Sequence, residues 1–445
     1  MTEFFIYSKR CFINDKFIES TLHIKNNKIH CIHSGIYKAS KIPFLDYTNL
    51  IVMPGIIDAH VHINEPGRET WEGFDTATKA AAIGGVTTLI EMPLNASPVT
   101  TNIDAFKLKQ EASKGKLHVN CGFYGGVIPS NKADIEGLIN AGVFGIKGFL
   151  THSGIDEFPN VSKTDLEAIA PILKQYNIPL LLHCELADDN VPEVVNPKSY
   201  HEYIQSRPQH WETNAINLAL EIQKQFDIKV HIVHLSASAG IERIKQRKEK
   251  TDKLTVETCP QYLYFNAEEI PDASPIFKCA PPIREKANND KLWTFLLDDG
   301  FNFLASDHSP APPERKQLES GDFFKAWGGI SGLQFTLPVV YSESKKRGLQ
   351  IEKLISLLTK KPAEFLGIDS EKGALVAGFD ADITVWDDLE ELVISEDSIQ
   401  HKHKATPYLN EMVFGKVIHT FVNGAHVVEN SKLKNLRAGR ILLKE

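Results

Sequence analysis

The spacing of hydrophobic and polar positions changes twice along this chain. Between about residues 50 and 367, apolar runs typical of strands alternate with stretches of helical period. The apolar runs cover residues 55–63, 86–92, 117–122, 143–150, 179–184, 229–235, 254–258 and 302–306. The clearest amphipathic helical periods lie between them, at residues 75–83, 165–176, 212–225 and 290–297.

This alternation indicates an α/β fold built on parallel strands. Nearly continuous apolar strands are typical of a parallel sheet that helices cover on both faces. Eight such strands with helices between them predict a TIM-like (β/α)8 barrel. A doubly wound open sheet is also compatible with the pattern alone.

The two ends of the chain have a different pattern, of short strands without helical period. Near the start they are residues 4–7, 22–24 and 29–32, and near the end 373–376, 382–386, 417–422 and 425–428. Asn423-Gly424, between two apolar runs, is a strong hairpin signal. We therefore predict that residues 1–52 and 373–445 form one small β-rich domain beside a barrel of residues 53–372.

The composition of the chain limits the kinds of binding partner and the cellular compartments that we expect. The chain has 445 residues, 42% of them hydrophobic, and a net charge of −8, so we expect no nucleic-acid partner. It has no apolar run of membrane-spanning length and no signal-peptide pattern in residues 1–10. Its six cysteines are scattered without a CxxC pair. Free thiols and a cytoplasmic location are the expectation.

The candidate chemistry begins with His60 and His62. Residues two apart on a strand point the same way, so both imidazoles can reach one ion. An HxH pair alone is explained at least as well by two strand histidines that bind no metal as by a metal site. Position changes the interpretation, because four further candidate ligands also lie at or near the carboxyl ends of predicted strands, which meet at one barrel mouth. They are Lys147, His183, His234 and Asp307.

Lys147 lies inside an apolar strand, where an ammonium group is costly unless it is paired or neutral. A structural ion pair is one interpretation. The other is that a desolvated neutral amine takes up carbon dioxide and becomes a carbamate. That anion has two oxygens, one for each of two metals.

The motifs resemble those of the cyclic amidohydrolases, which include dihydroorotases, hydantoinases and allantoinases. The resemblance covers nearly the whole chain, from MPGIIDAHVH at residues 53–62 to KGALVAGFDAD at residues 372–382. It implies that His60, His62 and Asp307 bind one divalent ion and that His183 and His234 bind a second. Carboxylated Lys147 would bridge the two ions. Zinc is the first expectation for such ligands, with manganese, cobalt or iron as alternatives, and a homotetramer or homodimer is implied.

Further motifs favour the allantoinase group within this family. Dihydroorotases carry an arginine two residues after the second histidine, whereas this chain has Asn64. Allantoinase-like stretches occur at residues 62–68, 91–95, 278–284, 306–310, 326–334 and 403–408. One departure is Gly148, where related allantoinases can carry cysteine. The resemblance implies hydrolysis of the ring amide of allantoin to allantoate.

Asp307 is the residue that we expect to be catalytic, because a carboxylate beside the attacking water can take its proton and pass it to the leaving nitrogen. Asn64, Asn95 and Ser331 are candidate contacts for a small cyclic amide, although each also fits an ordinary loop-capping role. Residues 310–329 are long for a βα connection and predict a lid. Within it, Trp327 is expected to pack the lid down.

Two alternatives stay open on the sequence. One is a hydantoinase, dihydropyrimidinase or dihydroorotase-like enzyme that opens a different ring. The other is a metal-free scaffold protein of the same family. Such scaffolds tend to lose ligands, whereas this chain keeps suitable residues at all six positions.

Overall fold

The computed structural model describes residues 3–445. Its strands are β1 (Glu3–Ile13), β2 (Lys16–Lys25), β3 (Lys28–Ser34), β4 (Phe44–Asp46), β5 (Ile51–Pro54), β6 (Ile56–Val61), β7 (Val86–Glu91), β8 (Asn120–Phe123), β9 (Gly125–Gly126), β10 (Ile146–Phe149), β11 (Leu180–His183), β12 (Val230–Ile232), β13 (Leu254–Thr258), β14 (Phe303–Leu304), β15 (Ile383–Val393), β16 (Met412–Val422), β17 (Ala425–Glu429) and β18 (Lys432–Leu433). Its α-helices are α1 (Phe74–Ile83), α2 (Ile103–Ser113), α3 (Lys132–Asn140), α4 (Lys163–Tyr176), α5 (Tyr200–Gln205), α6 (Gln209–Phe226), α7 (Ile241–Lys248), α8 (Pro260–Tyr264), α9 (Lys286–Leu297), α10 (Thr336–Arg347), α11 (Ile351–Leu358) and α12 (Lys360–Leu366).

The middle of the chain forms the predicted parallel barrel. Strands β6, β7 and β8 pair in order, and β9 to β14 form a second parallel run. Only one residue separates β8 from β9, so together they form the third strand of the barrel. A parallel bridge between Val61 and His308 closes the ring. Each of the eight predicted apolar runs overlaps a strand, and the open-sheet alternative is excluded.

Helices cover the outside of the barrel, and α4 illustrates why they form where the sequence places them. The Ser162 side chain accepts a hydrogen bond from the backbone of Asp165, whose carboxylate accepts one in return, and this capping box begins the helix. Its buried residues Leu166, Ile169 and Leu173 recur at helical spacing. The predicted helices at residues 75–83, 165–176, 212–225 and 290–297 correspond to α1, α4, α6 and α9.

Both chain ends build a mixed sheet beside the barrel, as predicted. Its strand order is β18-β17-β16-β15-β5-β1-β2-β3, with β4 paired to β1. The predicted strand at residues 373–376 is wrong. The backbone turns there instead, with φ of +84° at Gly373 and +93° at Gly378, and the Gly378 N–H donates to the carbonyl of Ile29 at 2.7 Å. The domain boundaries at residues 52/53 and 372/373 stay predictions.

The last residues of the chain return to the barrel. The Gly439 N–H donates to the Leu117 carbonyl at 3.1 Å, and the Leu442 N–H donates to that of Cys121 at 2.9 Å. An ion cluster lies at this junction. We call it the seam cluster, and it consists of the buried Lys372, Asp380 and Asp382 and the exposed Arg440.

Two further expectations concern cysteines and membranes. All six cysteines are free, as predicted, and all but Cys31 are buried. Between residues 3 and 445, no helix combines the length and the apolar character that crossing a membrane requires.

Candidate metal centre at the barrel mouth

Three of the predicted ligands meet where the first and last barrel strands come together. Asp307 Oδ1 lies 3.2 Å from His60 Nε2 and 3.4 Å from His62 Nε2. One donor atom from each of the three residues lies within 4.8 Å of the others, and all three residues are buried. Two imidazoles and a carboxylate at this spacing suit a borderline divalent ion such as zinc.

Two more predicted ligands form a second pair beside this group. His183 Nδ1 lies 3.0 Å from His234 Nε2. The ring of His234 is in turn 5.4 Å from that of His60, measured between centroids. The structure therefore brings the five non-lysine residues together at one end of the barrel. Burial, and then the charges of His183 and Lys147, hold the pKa of His234 well below its usual value, so this imidazole is neutral and able to bind metal.

Lys147 lies on β10 and is completely buried. Among the described residues its Nζ finds no hydrogen-bond partner, and the same holds for His234 Nδ1. Burial lowers the pKa of Lys147 to about 8. Orphaned buried polar atoms are rare in folded proteins and require an explanation. Here the orphaned Lys147 Nζ and the surrounding nitrogen and oxygen donors fit a bound metal pair.

Three of the four histidines are held in place by a second set of contacts. Glu257 Oε1 accepts from His60 Nδ1 at 2.5 Å, and the Leu94 carbonyl accepts from His62 Nδ1 at 2.7 Å. Glu185 accepts from His183 Nε2 at 2.8 Å and is paired with Arg207. Each bond directs the opposite ring nitrogen towards the site, which is the arrangement that metal-binding histidines usually have.

Sequence reasoning missed Glu257, which also accepts from His231 Nε2 at 3.1 Å. A signal was present, because Glu257 is a charged residue inside an apolar strand, as Lys147 is. Glu185 follows His183 by two residues, whereas its partner Arg207 lies in a connection and carries no comparable pattern.

Two of the site residues have unusual backbone geometry. His234 has φ of +39° and Asp307 has φ of +46°, in the left-handed region that side chains disfavour. Asp58 helps to hold the second of these turns, since its carboxylate accepts from the backbone of Ser306 at 3.2 Å and of His60 at 3.1 Å. Strained backbone that surrounding contacts hold in place is typical of functional sites.

A cavity of about 320 Å³ opens above this cluster. It is lined by all five predicted non-lysine ligands and by polar and aromatic residues that include Asn95, His152, Arg207, Lys278 and Trp327. The predicted substrate contacts lie in different places. Asn95 lines the cavity and donates to Asn64 Oδ1 at 3.1 Å, while Asn64 donates to the Pro310 carbonyl at 3.2 Å. The Ser331 carbonyl accepts from Thr406 at 2.7 Å.

Residues 310–329 cover one side of the cavity. Trp327 packs edge-on against Trp71, with ring centroids 4.8 Å apart. The buried Lys316 donates to the carbonyls of Lys278 at 2.9 Å and Gly329 at 2.8 Å. The segment is thus held down by an aromatic pair and a buried ammonium. Its role as a lid stays a prediction.

Comparisons with known proteins agree with this geometry. The chain is 41% identical over 460 residues to an allantoinase of Arabidopsis thaliana, covering 99% of this chain and 91% of the relative. It is 40% identical over 387 residues to an allantoinase of Saccharomyces cerevisiae, covering 85% and 83%. Among solved structures, the L-hydantoinase (dihydropyrimidinase) of Arthrobacter aurescens superimposes with a TM-score of 0.93 at 29% identity, over 100% of both chains.

The sequence profile described as "Amidohydrolase family" matches residues 51–427. This span includes all the barrel strands, β6 to β14, and all six predicted ligands. Together with the hydantoinase neighbour, it implies a binuclear metal site. The resemblance seen in the sequence motifs is confirmed, and the chain belongs to the amidohydrolase family.

Proposed function

We propose that this protein is an allantoinase, which adds water across a ring amide of allantoin and releases allantoate. The observation that carries the proposal is the convergence of His60, His62, His183, His234 and Asp307 on one cavity, with Lys147 buried on the strand between. The allantoinases of Arabidopsis and yeast support the choice of ring, because they match over most of both chains.

In this proposal His60, His62 and Asp307 would hold one divalent ion, and His183 and His234 would hold the other. Carboxylated Lys147 would bridge them, since a carbamate turns an amine without a partner into an anion with two donor oxygens. Zinc is the metal that this donor set favours, with manganese, cobalt or iron as alternatives. When bound, such ions polarise a carbonyl and lower the pKa of water towards neutrality.

Asp307 is the residue to which we assign proton transfer. Its carboxylate lines the cavity and lies within 3.4 Å of two imidazoles, so it is positioned to accept a proton from attacking water. It then donates that proton to the ring nitrogen as the carbon–nitrogen bond breaks. The amide nitrogen is a poor leaving group unless it is protonated, which is why this transfer matters.

Recognition of the ring falls to polar groups around the cavity. Allantoin is a neutral ring with a ureido arm and offers many amide donors and acceptors. Asn64, Asn95 and Ser331 are the proposed contacts, and Asn95 is the strongest of them because it lines the cavity. The absence of an arginine at position 64 argues against a carboxylate substrate such as dihydroorotate.

We further propose a cytoplasmic homotetramer or homodimer. Six free cysteines suit a reducing compartment. Three exposed apolar side chains lie on the paired strands β15 and β16, namely Leu389 at 74%, Val393 at 56% and Met412 at 62% exposure. Val393 and Met412 are register partners, and an exposed apolar patch formed by neighbouring side chains in this way suits a subunit contact. Light scattering on the wild type and on Met412→Lys tests the patch, which predicts a smaller species for the variant.

A substrate panel tests the activity. Metal-reconstituted protein is assayed with allantoin, hydantoin, dihydrouracil and dihydroorotate at equal concentrations. The highest kcat/KM is expected for allantoin, and activity with dihydroorotate is expected to be negligible. A higher value for hydantoin or dihydrouracil would replace the proposal with a hydantoinase or dihydropyrimidinase, the activity named for the Arthrobacter structure.

A further inference from the structure

A second cluster of side chains that can bind metal lies on β2 and β3, in the terminal sheet rather than in the barrel. His23 stands opposite Cys31 in the strand register, and His33 follows Cys31 by two residues. Side chains related in this way share one face of a sheet. Cys31 Sγ lies 3.7 Å from His23 Nδ1 and 3.3 Å from His33 Nε2.

These distances match a tetrahedral zinc site. With zinc–sulfur and zinc–nitrogen bonds of their usual lengths, neighbouring sulfur and nitrogen ligands are about 3.6 Å apart. The observed separations fall on either side of this value, and the three donor atoms lie within 4.8 Å of one another. A thiolate with two imidazoles is a soft to borderline set, which selects zinc or cobalt over calcium or magnesium.

The surroundings hold the cluster in a binding geometry. Glu3 Oε1 accepts from His23 Nε2 at 2.9 Å, which directs the Nδ1 lone pair towards Cys31. This is the carboxylate–histidine contact that metal sites use to orient an imidazole. Tyr37 stacks on His33 with ring centroids 3.8 Å apart, and Phe5 lies against His23 at 4.5 Å. All three ligands are partly exposed, so an ion has a path from solvent.

We propose that His23, Cys31 and His33 form a zinc site in the terminal sheet, with the fourth position open to water. The site does not depend on the proposed allantoinase activity. Its residues belong to one hairpin, where a bulge leaves His30 between Ile29 and Cys31 without a register partner. Bound zinc would tie the two strands together across that irregularity and stabilise the sheet.

Cobalt titration tests the site directly on the holoenzyme, with its barrel metals in place. One equivalent of Co²⁺ per chain is expected to produce a thiolate-to-cobalt charge-transfer band. The proposed barrel ligands include no thiol, so they cannot give this signal. The band is expected to disappear in Cys31→Ser and in His33→Ala, while hydrolase activity stays at the wild-type value. Glu3→Ala should weaken binding about 10-fold or more.

Matched controls lie in the same sheet. Cys11→Ser changes a buried cysteine, and His30→Ala changes the exposed histidine of the bulge; both should keep the band. In differential scanning fluorimetry, Zn²⁺ should raise the Tm of the wild type but not of Cys31→Ser, because a ligand that binds the folded state stabilises it. Absence of the band in the wild type, or its loss in His30→Ala to the same degree as in His33→Ala, would overturn the proposal.

Discussion

The barrel mouth and the seam cluster both contain a buried lysine, but only the lysine of the seam cluster has ion-pair partners. At the seam, Lys372 Nζ lies 2.8 Å from Asp380 and 2.5 Å from Asp382. Asp382 also accepts from the Asn423 backbone at 2.7 Å and from Asn120 at 3.1 Å. At the mouth, Lys147 is equally buried, yet no described residue offers its Nζ a hydrogen bond.

The difference separates a structural role from a functional one. A buried charge with complete partners needs nothing further, and removing one partner destabilises the fold. A buried polar atom without partners costs free energy that the fold itself does not recover. At Lys147, where nitrogen and oxygen donors of neighbouring strands lie close by, it indicates a ligand that supplies the missing contacts. Substitutions at the mouth should therefore change chemistry and metal content, whereas substitutions at the seam should change stability.

Asp307→Asn should give the largest effect. The amide keeps the shape of the side chain but cannot take a proton, so kcat is expected to fall about 100- to 10,000-fold or more. Thermal unfolding should change little. Steady-state kinetics and calorimetry on the same preparation give both readings.

The seam supplies the control for that substitution. Asp382→Asn also replaces a buried carboxylate, but this one bonds Lys372 and the Asn423 backbone. It should lower the Tm clearly and leave the kcat of the folded protein near the wild-type value. Wild-type turnover in Asp307→Asn would remove that residue from proton transfer.

Lys147→Ala should come next. It removes the proposed bridging group, so metal content is expected to fall from about two ions per chain to one or none, and activity with it. Short carboxylic acids should restore part of the activity by supplying the two oxygens. Elemental analysis measures the ions, and full metal occupancy in the variant would contradict the carbamate assignment.

Lys372→Met tests the ion pairing of the seam cluster. It leaves the buried Asp382 without its cation, whereas Asp380 keeps Lys28 and Arg440, at a cost of about 3–5 kcal/mol in the free energy of unfolding. Denaturant titration measures that loss. The kcat at a temperature well below the new Tm should match the wild type, and a large fall in kcat would show that the seam also shapes the site.

The barrel, and the meeting of the candidate ligands at its mouth, could be predicted because both depend on local signals. Apolar runs define the strands, and the parallel topology brings their carboxyl ends to one mouth. The prediction of a strand at residues 373–376 was wrong because Gly373 and Gly378 turn the backbone. A short apolar run does not reveal such turns. The link between Glu185 and Arg207, and the cavity contacts of Lys278, depend on how connections fold. No periodic pattern encodes those positions.

Glu257→Gln probes how the mouth is organised. Glu257 accepts from His60 and from His231 through separate oxygens, and glutamine offers only one acceptor for the two. The His60 ring should lose its fixed orientation, and metal affinity should fall about 10- to 100-fold. Competition with a chelator measures it. Unchanged affinity would mean that Glu257 serves packing alone.

Lys316→Met tests a further buried lysine, which shares features with both Lys147 at the mouth and Lys372 at the seam. Its ammonium group donates to three backbone carbonyls, those of Lys278, Trp327 and Gly329, at 2.8–3.2 Å. It is therefore satisfied like Lys372, although it lies at the edge of the cavity. Removing it leaves those carbonyls without their donor, at a cost of about 1–2 kcal/mol.

That cost should be local, because the three carbonyls belong to residues 310–329 and to the neighbouring Lys278. Hydrogen exchange should accelerate in residues 310–329, and KM should rise while kcat changes little, if this segment closes over the substrate. Lys346→Met, on the exposed face of α10, is the matched control and should change neither. Faster exchange with an unaltered KM would assign the segment a structural role, and would place Lys316 with the seam rather than with the mouth.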